Sequence, residues 1–325
     1  MDEVRGEIRA GGQCRRGSGM AVEHWQLLQR QSHSLPVKIQ MSKGRIREWH
    51  EHWDGEVYVA FSGGLDSTVL LHLVRSIYPD TLAVFHNTGL EYPEIVSFVK
   101  TKDNVEWTRP KIHFKEVIQK YGYPVVSKRI AQYIGDVQRA RGETATKRLR
   151  LTGIKTDGTK SPMSMISKKW QYLCDAPFKV SDRCCNVMKK NPAREVEKRG
   201  LYPFLGTRVE ESQQREQMYY MHGCNAFDLS HPRSTPIAFW MDQDIRDYIK
   251  EFDLPYSKIY DMGYTRTGCM WCMFGVHLEK EPNRFQRMMK THPKLYTYCM
   301  EKLGLAEVLD YIHVPYGEPA QGRLF

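Results

Sequence analysis

Two groups of residues in this chain have the types and spacing that chemistry needs. The first is the run Ser62-Gly63-Gly64-Leu65-Asp66-Ser67-Thr68. Glycines carry no Cβ, so their backbone N–H groups can approach an anion closely. A helix opening at the same point aims its unpaired N–H groups and positive dipole end there. Ser62, Ser67 and Thr68 add hydroxyl donors. A carboxylate beside a phosphate needs a reason, and Asp66 has one if it positions Mg²⁺ or caps the helix. No lysine follows the second glycine at the spacing of the familiar G-x-x-x-x-G-K-[ST] loop. The second group is cysteines. Cys184-Cys185 is followed, after 83 intervening residues, by Cys269-Met270-Trp271-Cys272. Clustered thiols in a reducing compartment read as metal or cluster ligands, or as catalytic thiols. Adjacent cysteines splay apart, which suits a [4Fe–4S] cluster better than a zinc knuckle. Zinc and free thiols are the alternatives, with Cys174 and Cys224 as nearby spare ligands.

Elements able to position these groups are visible in the pattern. Glu56–Phe61 is a short apolar, β-rich run that ends directly at Ser62-Gly63-Gly64. Val69, Leu70, Leu73, Val74 and Ile77 then follow helical spacing. Leu82–His86 predicts a second buried strand, ended by Asn87-Thr88-Gly89, and Pro93-Glu94 opens another helix. Val105–Thr108, Pro203–Gly206 and Ile237–Trp240 read as further strands. Helices are predicted after Met241-Asp242, over Asn283–Lys290 and over Leu295–Leu303. Strands alternating with helices over short connections predict an α/β fold: a parallel twisted sheet with helices on both faces, Rossmann-like. The pattern loosens between about Ser127 and Lys179, which reads as an excursion from the sheet rather than a core element. The expected organisation is an N-terminal arm and helical segment over 1–50 and a nucleotide-binding domain over 51–275. That domain carries a basic insertion at about 130–175, and a helical segment over 276–325 follows.

Charge is concentrated. The chain carries +10, and residues 128–199 alone hold 18 Lys/Arg against 7 Asp/Glu. A localised basic surface favours anionic partners, from nucleotides to nucleic acid; a solvated face without a partner is the plainer reading. Arg139, Arg141, Lys147, Arg148 and Arg150 lie near Trp170 and Tyr172, a mixture that suits backbone contacts and base stacking. No run approaches the ~20 apolar residues of a membrane span. The first twenty residues lack the apolar core of a secretory signal. The expectation is a cytoplasmic protein with no membrane partner.

These residues carry a family resemblance. Val59–Thr68 resembles the PP-loop of the ATP pyrophosphatase superfamily. His86-Asn87-Thr88-Gly89-Leu90-Glu91 resembles the segment after the second strand in its phosphoadenosine phosphosulfate (PAPS) reductase branch, which places adenosine beside that segment. Gly206-Thr207-Arg208 with Glu210, Glu211, Ser212 and Arg215 resembles a further family block. Arg208 and Arg215 are candidates to clamp phosphate or sulfate; a surface ion pair with Glu210 or Glu211 is the alternative. Cys184-Cys185…Cys269-x-x-Cys272 resembles the cluster motif of adenylyl-sulfate (APS) reductases. The resemblance places Lys189 between cluster and substrate. It runs from about Val57 to Cys272 and leaves about 130–175 unmatched.

The chain also departs from that family. Its reductases attack sulfate sulfur with a cysteine in a C-terminal Glu-Cys-Gly motif, whereas no cysteine follows Cys299 here. Cys299 itself sits in a predicted helix, as a core thiol would. The reading is therefore an enzyme that binds ATP and Mg²⁺ and adenylates an acceptor with pyrophosphate release. The acceptor is taken as nucleic acid, with sulfur supplied by a donor such as a cysteine desulfurase. A closed cluster of four thiolates would tune electrostatics or organise the fold. The alternatives are a sulfonucleotide reductase acting on adenylyl sulfate or PAPS through another thiol or thioredoxin, and a non-catalytic nucleotide- or nucleic-acid-binding module.

Overall fold

The computed structural model describes residues 22–318. The start of the expected N-terminal arm, with Cys14, and the chain from 319 onward lie outside the described residues. Among the described residues eight strands form: β1 Val57–Ala60, β2 Leu82–His86, β3 Val105–Thr108, β4 Val125–Val126, β5 Tyr202–Leu205, β6 Asn225–Ala226, β7 Arg233–Ser234 and β8 Met273–Phe274. Six of them make one sheet in the order β3–β2–β1–β5–β7–β6. All its pairings are parallel except β6 with β7. β4 and β8 pair separately.

Side-chain alternation explains why the sheet needs cover on both faces. Val57 and Val59 on β1, with Ala83 and Phe85 on β2, join the main core. Tyr58 and Val84 point the other way and pack with Val196 of helix Asn191–Glu197. The main-core face meets helix Leu65–Arg75, whose Val69, Leu70, Leu73 and Val74 are fully buried. Helix Leu35–His52 adds Ile46 and Trp49 to the same core. The chain leaves β1 outward to β2 and β3, then returns to β5 on the other side of β1. Open α/β sheets carry their ligand crevice at such a reversal, beyond the C-terminal strand ends.

Two expectations are corrected. Ile237–Trp240 is a turn, not a strand, although all four residues are buried. Its polar groups are satisfied outside a ladder: Ala238 O accepts from Val209 N at 2.8 Å, and Trp240 Nε1 donates to Ser42 Oγ at 3.0 Å. Residues 128–179 add no strand to the six-stranded sheet, but they do contribute to the core. Helix Lys128–Arg139 buries Ala131, Ile134 and Val137, and Ile166 and Leu173 are buried beyond it.

Candidate functional site

The loop after β1 is held by short-range bonds. Ser67 Oγ lies 3.1 Å from Ser62 Oγ and donates to Gly64 O at 2.9 Å. Thr68 Oγ1 donates to the same carbonyl at 2.9 Å. Gly63 adopts φ +74°, and a Cβ there would stand 2.9 Å from Ile95 and Val99 methyl carbons. Only glycine meets both demands. Gly206, just past β5, approaches equally closely, since its Cβ would lie 3.0 Å from Ser67 N. The loop thus sits wedged between the helix after β2 and the end of β5.

The crevice beside it is lined by Phe61, Ser62, His86, Tyr92, Ile95 and Lys189, among others. Its far wall is the turn after β2. Thr88 donates its N–H and hydroxyl to Glu91, at 3.0 and 2.6 Å. Asn87 Oδ1 accepts from Gly89 N at 3.2 Å, and Gly89 takes φ +74°. His86 Nδ1 and Thr108 Oγ1 share a 2.6 Å hydrogen bond. Burial, then the facing ammonium of Lys189, pushes the His86 imidazole down to about 4, against a smaller opposing pull from Glu106. His86 is therefore neutral at physiological pH.

Sequence reasoning missed Tyr260. Its hydroxyl accepts from Leu65 N at 3.1 Å and lies 3.2 Å from Thr267 Oγ1. It satisfies one of the free amides at the helix start and ties the loop to the segment before Cys269. No local signal marks a tyrosine 195 positions away as a cap.

The arginines do not stand free. Arg208 is 7% exposed and donates to Asp66, to Glu210 at 2.8 Å and to Asp242 at 3.3 Å. Arg215 pairs with Glu211. Arg208 thus reaches from the end of β5 to the loop carboxylate, which the sequence had linked to Mg²⁺ or a helix cap. The sequence alternative of ion pairs holds for both arginines, but Arg208 is buried rather than superficial.

The four cysteines come from helix Arg183–Cys185 and the turn before β8. Cys184 is buried. Burial, then Cys269, Cys185 and Cys272, raises its pKa. Lys189 follows the pair on a π-turn. Cys269 and then Glu91 favour the charged form of its ammonium. Lys189 keeps accessible surface, and that surface lines the crevice. Met270 N donates to Leu90 O at 2.8 Å, fastening the C-x-x-C turn to the crevice wall. Arg284 Nη1 donates to Cys272 O at 2.8 Å from the other side. Among the described residues no group of three or more His, Cys, Asp or Glu is arranged to hold a metal ion. A zinc site draws four sulfurs to about 2.3 Å from one centre. Each thiolate of a four-iron cube meets a different iron, so a wider set suits it.

Cys299 is fully buried, its Sγ donating to Tyr296 O at 3.2 Å, and burial drives its thiol up to about 12. Trp170 packs edge-on to His277 at 5.1 Å, and Tyr172 lies 5.6 Å from Tyr311. Both residues are half-buried by these contacts. Arg150 sits 3.6 Å over the Tyr133 ring and pairs with Asp136, as Arg139 does; Lys147 pairs with Glu143. Arg141 and Arg148 are exposed.

A parallel sheet with a glycine loop and crevice at its strand ends defines an α/β nucleotide enzyme. The chain belongs to the phosphoadenosine phosphosulfate reductase family, whose domain model matches residues 56–141 and 147–274. The match runs through most of the segment at 130–175 that the sequence resemblance left out. An uncharacterised protein of Methanocaldococcus jannaschii is 24% identical over 79% of this chain, which spans 51% of that protein. An adenosine 5'-phosphosulfate reductase of Geobacillus kaustophilus is 26% identical over 69% of this chain and 75% of its own length. A crystal structure of PAPS reductase from Candida auris, as a phosphate complex, superposes with a TM-score of 0.42 and 15% identity. It covers 77% of this chain and 97% of the other. Among the described residues no helix is long and apolar enough to cross a membrane.

Proposed function

We propose that the crevice binds ATP and that the enzyme adenylates an acceptor in a sulfur-transfer reaction. Adenosine lies between Phe61, Tyr92 and Ile95, and the phosphates lie on Ser62–Thr68, with Asp66 positioning Mg²⁺. An acceptor oxygen attacks the α-phosphorus. The P–O bond to the β-phosphate breaks, and pyrophosphate leaves on the loop. Loop amides and hydroxyls stabilise the charge that develops on the leaving group. Nucleic acid is the proposed acceptor, met by the exposed Arg141 and Arg148 of the basic stretch. The observation that carries this reading is the intact phosphate loop after β1, beside the crevice. Cys299 is sealed in the core and supplies no thiolate for sulfonucleotide reduction.

We further propose that Cys184, Cys185, Cys269 and Cys272 hold a [4Fe–4S] cluster, which when bound supplies a fixed charge beside the substrate. Lys189 then lies between cluster and crevice, and Arg284 fixes the turn that carries Cys272. Support comes from the donor set itself: two adjacent thiols on helix Arg183–Cys185 and two on the turn before β8, with Lys189 after the first pair and Arg284 bonded to Cys272 O.

A second reading, reduction of adenylyl sulfate with a thiol from thioredoxin, is favoured by the relatives that carry that activity in their names. The two readings part on one experiment. Anaerobically purified protein is given ATP with DNA or tRNA, or adenylyl sulfate with reduced thioredoxin. Pyrophosphate release supports adenylation. Sulfite release without pyrophosphate overturns it in favour of reduction. Iron and sulfide near four per chain support the cluster, and zinc without sulfide removes it.

A further inference from the structure

Beside the phosphate loop, two guanidinium groups converge on one carboxylate. One Glu211 oxygen accepts from Arg208 N at 3.1 Å and faces the Arg215 guanidinium. The other accepts from Arg266 Nη2 at 3.3 Å. Arg266 is 70% exposed at the side chain, whereas Glu211 is 19% exposed. Arg266 directly precedes Thr267, whose hydroxyl would lie 2.9 Å from a Cβ placed on Gly64. It therefore stands at the mouth of the loop. Behind it, burial, Arg266 and Arg208 all weigh against charge on Arg215, and Asp66 opposes them.

We infer that Arg266 and Arg215 are the receptor for the terminal phosphate of the bound nucleotide, and that this phosphate takes the place of the Glu211 carboxylate between them. The inference deepens the ATP reading and rests on it. Two arginine forks on one anion are a recognition geometry for phosphate as much as for carboxylate. The Arg266–Glu211 pair is open to water and correspondingly weak. A terminal phosphate brings more charge and more acceptor oxygens than one carboxylate. Arg208 is committed differently, to Asp66, Glu210 and Asp242, and organises the loop rather than exchanging partners. Arg266 is thus a specificity residue: it reads the length of the phosphate chain and does not touch adenosine.

The test is calorimetric binding of ATP, ADP and AMP, with Mg²⁺, to the full chain and to Arg266→Ala, Arg266→Lys and Glu211→Gln. Arg266→Ala is expected to weaken ATP about tenfold or more, the loss of one charged hydrogen-bonding partner, and to leave AMP unchanged. Lysine restores part of the loss, because a point charge replaces a fork. Glu211→Gln tightens ATP, since an amide competes less with phosphate. Equal weakening of ATP and AMP, or unchanged ATP binding, overturns the inference while the ATP reading stands. A wild-type chain that binds none of the three overturns both.

Discussion

At the loop end of the crevice, Ser62, Gly64, Ser67 and Thr68 hold one another through bonds spanning at most five positions. At the cysteine end, Cys185 and Cys269 are brought together across 83 residues. That end is held by the Met270-to-Leu90 and Arg284-to-Cys272 bonds, by the Cys272-to-Cys269 turn bond and by the pairing of β8 with β4. The loop's hydroxyl bonds are local, although Tyr260 and Arg208 brace it from distant segments. The cysteine end is a tertiary solution, in which burial raises the Cys184, Cys269 and Cys272 thiols. The glycine loop is thus held mainly by bonds among its own residues, whereas the cysteine end is assembled from segments far apart in the chain.

That difference can be broken at either end. The largest expected effect is at the cysteines. Cys269→Ser should abolish iron incorporation, read as metal content and visible absorption, yet leave ATP affinity within a few-fold of wild type. Iron retained at the wild-type level would sink the ligand assignment. Arg208→Ala should have the opposite signature. It strands the loop carboxylate and its two neighbours, so urea melts should lose stability near the lower end of the about 3–5 kcal/mol typical of a broken buried pair. Iron content should persist. Equal loss at both ends would mean they are one cooperative unit.

His86 sits between the two ends and provides a pH probe. Its folded pKa of about 4 lies below the unfolded value near 6.5. The unfolded chain therefore binds more protons in this window, and stability rises with pH through it. The contribution is present above about pH 6.5 and is lost as pH falls toward 4, on the order of 2–3 kcal/mol. Chemical melts between pH 4 and 7 should show this slope, and His86→Gln should flatten it. An unchanged slope would assign it to other groups. The smallest effect is expected at Tyr260→Phe, which removes the cap on Leu65 N. It should cost about 0.5–1.5 kcal/mol and weaken ATP binding several-fold, with Thr267 no longer tied to the loop. Unaltered ATP binding would show that the tie is dispensable.

Much of the sheet was legible because its strands alternate with amphipathic helices. Val57–Ala60, Leu82–His86, Val105–Thr108 and Tyr202–Leu205 all lie within or beside the predicted runs. Ile237–Trp240 misled because burial alone cannot distinguish a strand from a buried turn. Helix Lys128–Arg139 was obscured because Ala131, Ile134 and Val137 are spaced among charges that dominate any local average.

The sequence by itself determined the phosphate loop, the strand–helix alternation and the family, because each rests on contacts between near neighbours and on backbone conformations that particular residues require. Only the tertiary structure decided that Arg208 serves Asp66, that Tyr260 caps the loop, that Cys299 is sealed and that Arg266 faces Arg215 across Glu211. Those depend on which side chains distant segments bring within a few ångströms, and no local pattern encodes that distance.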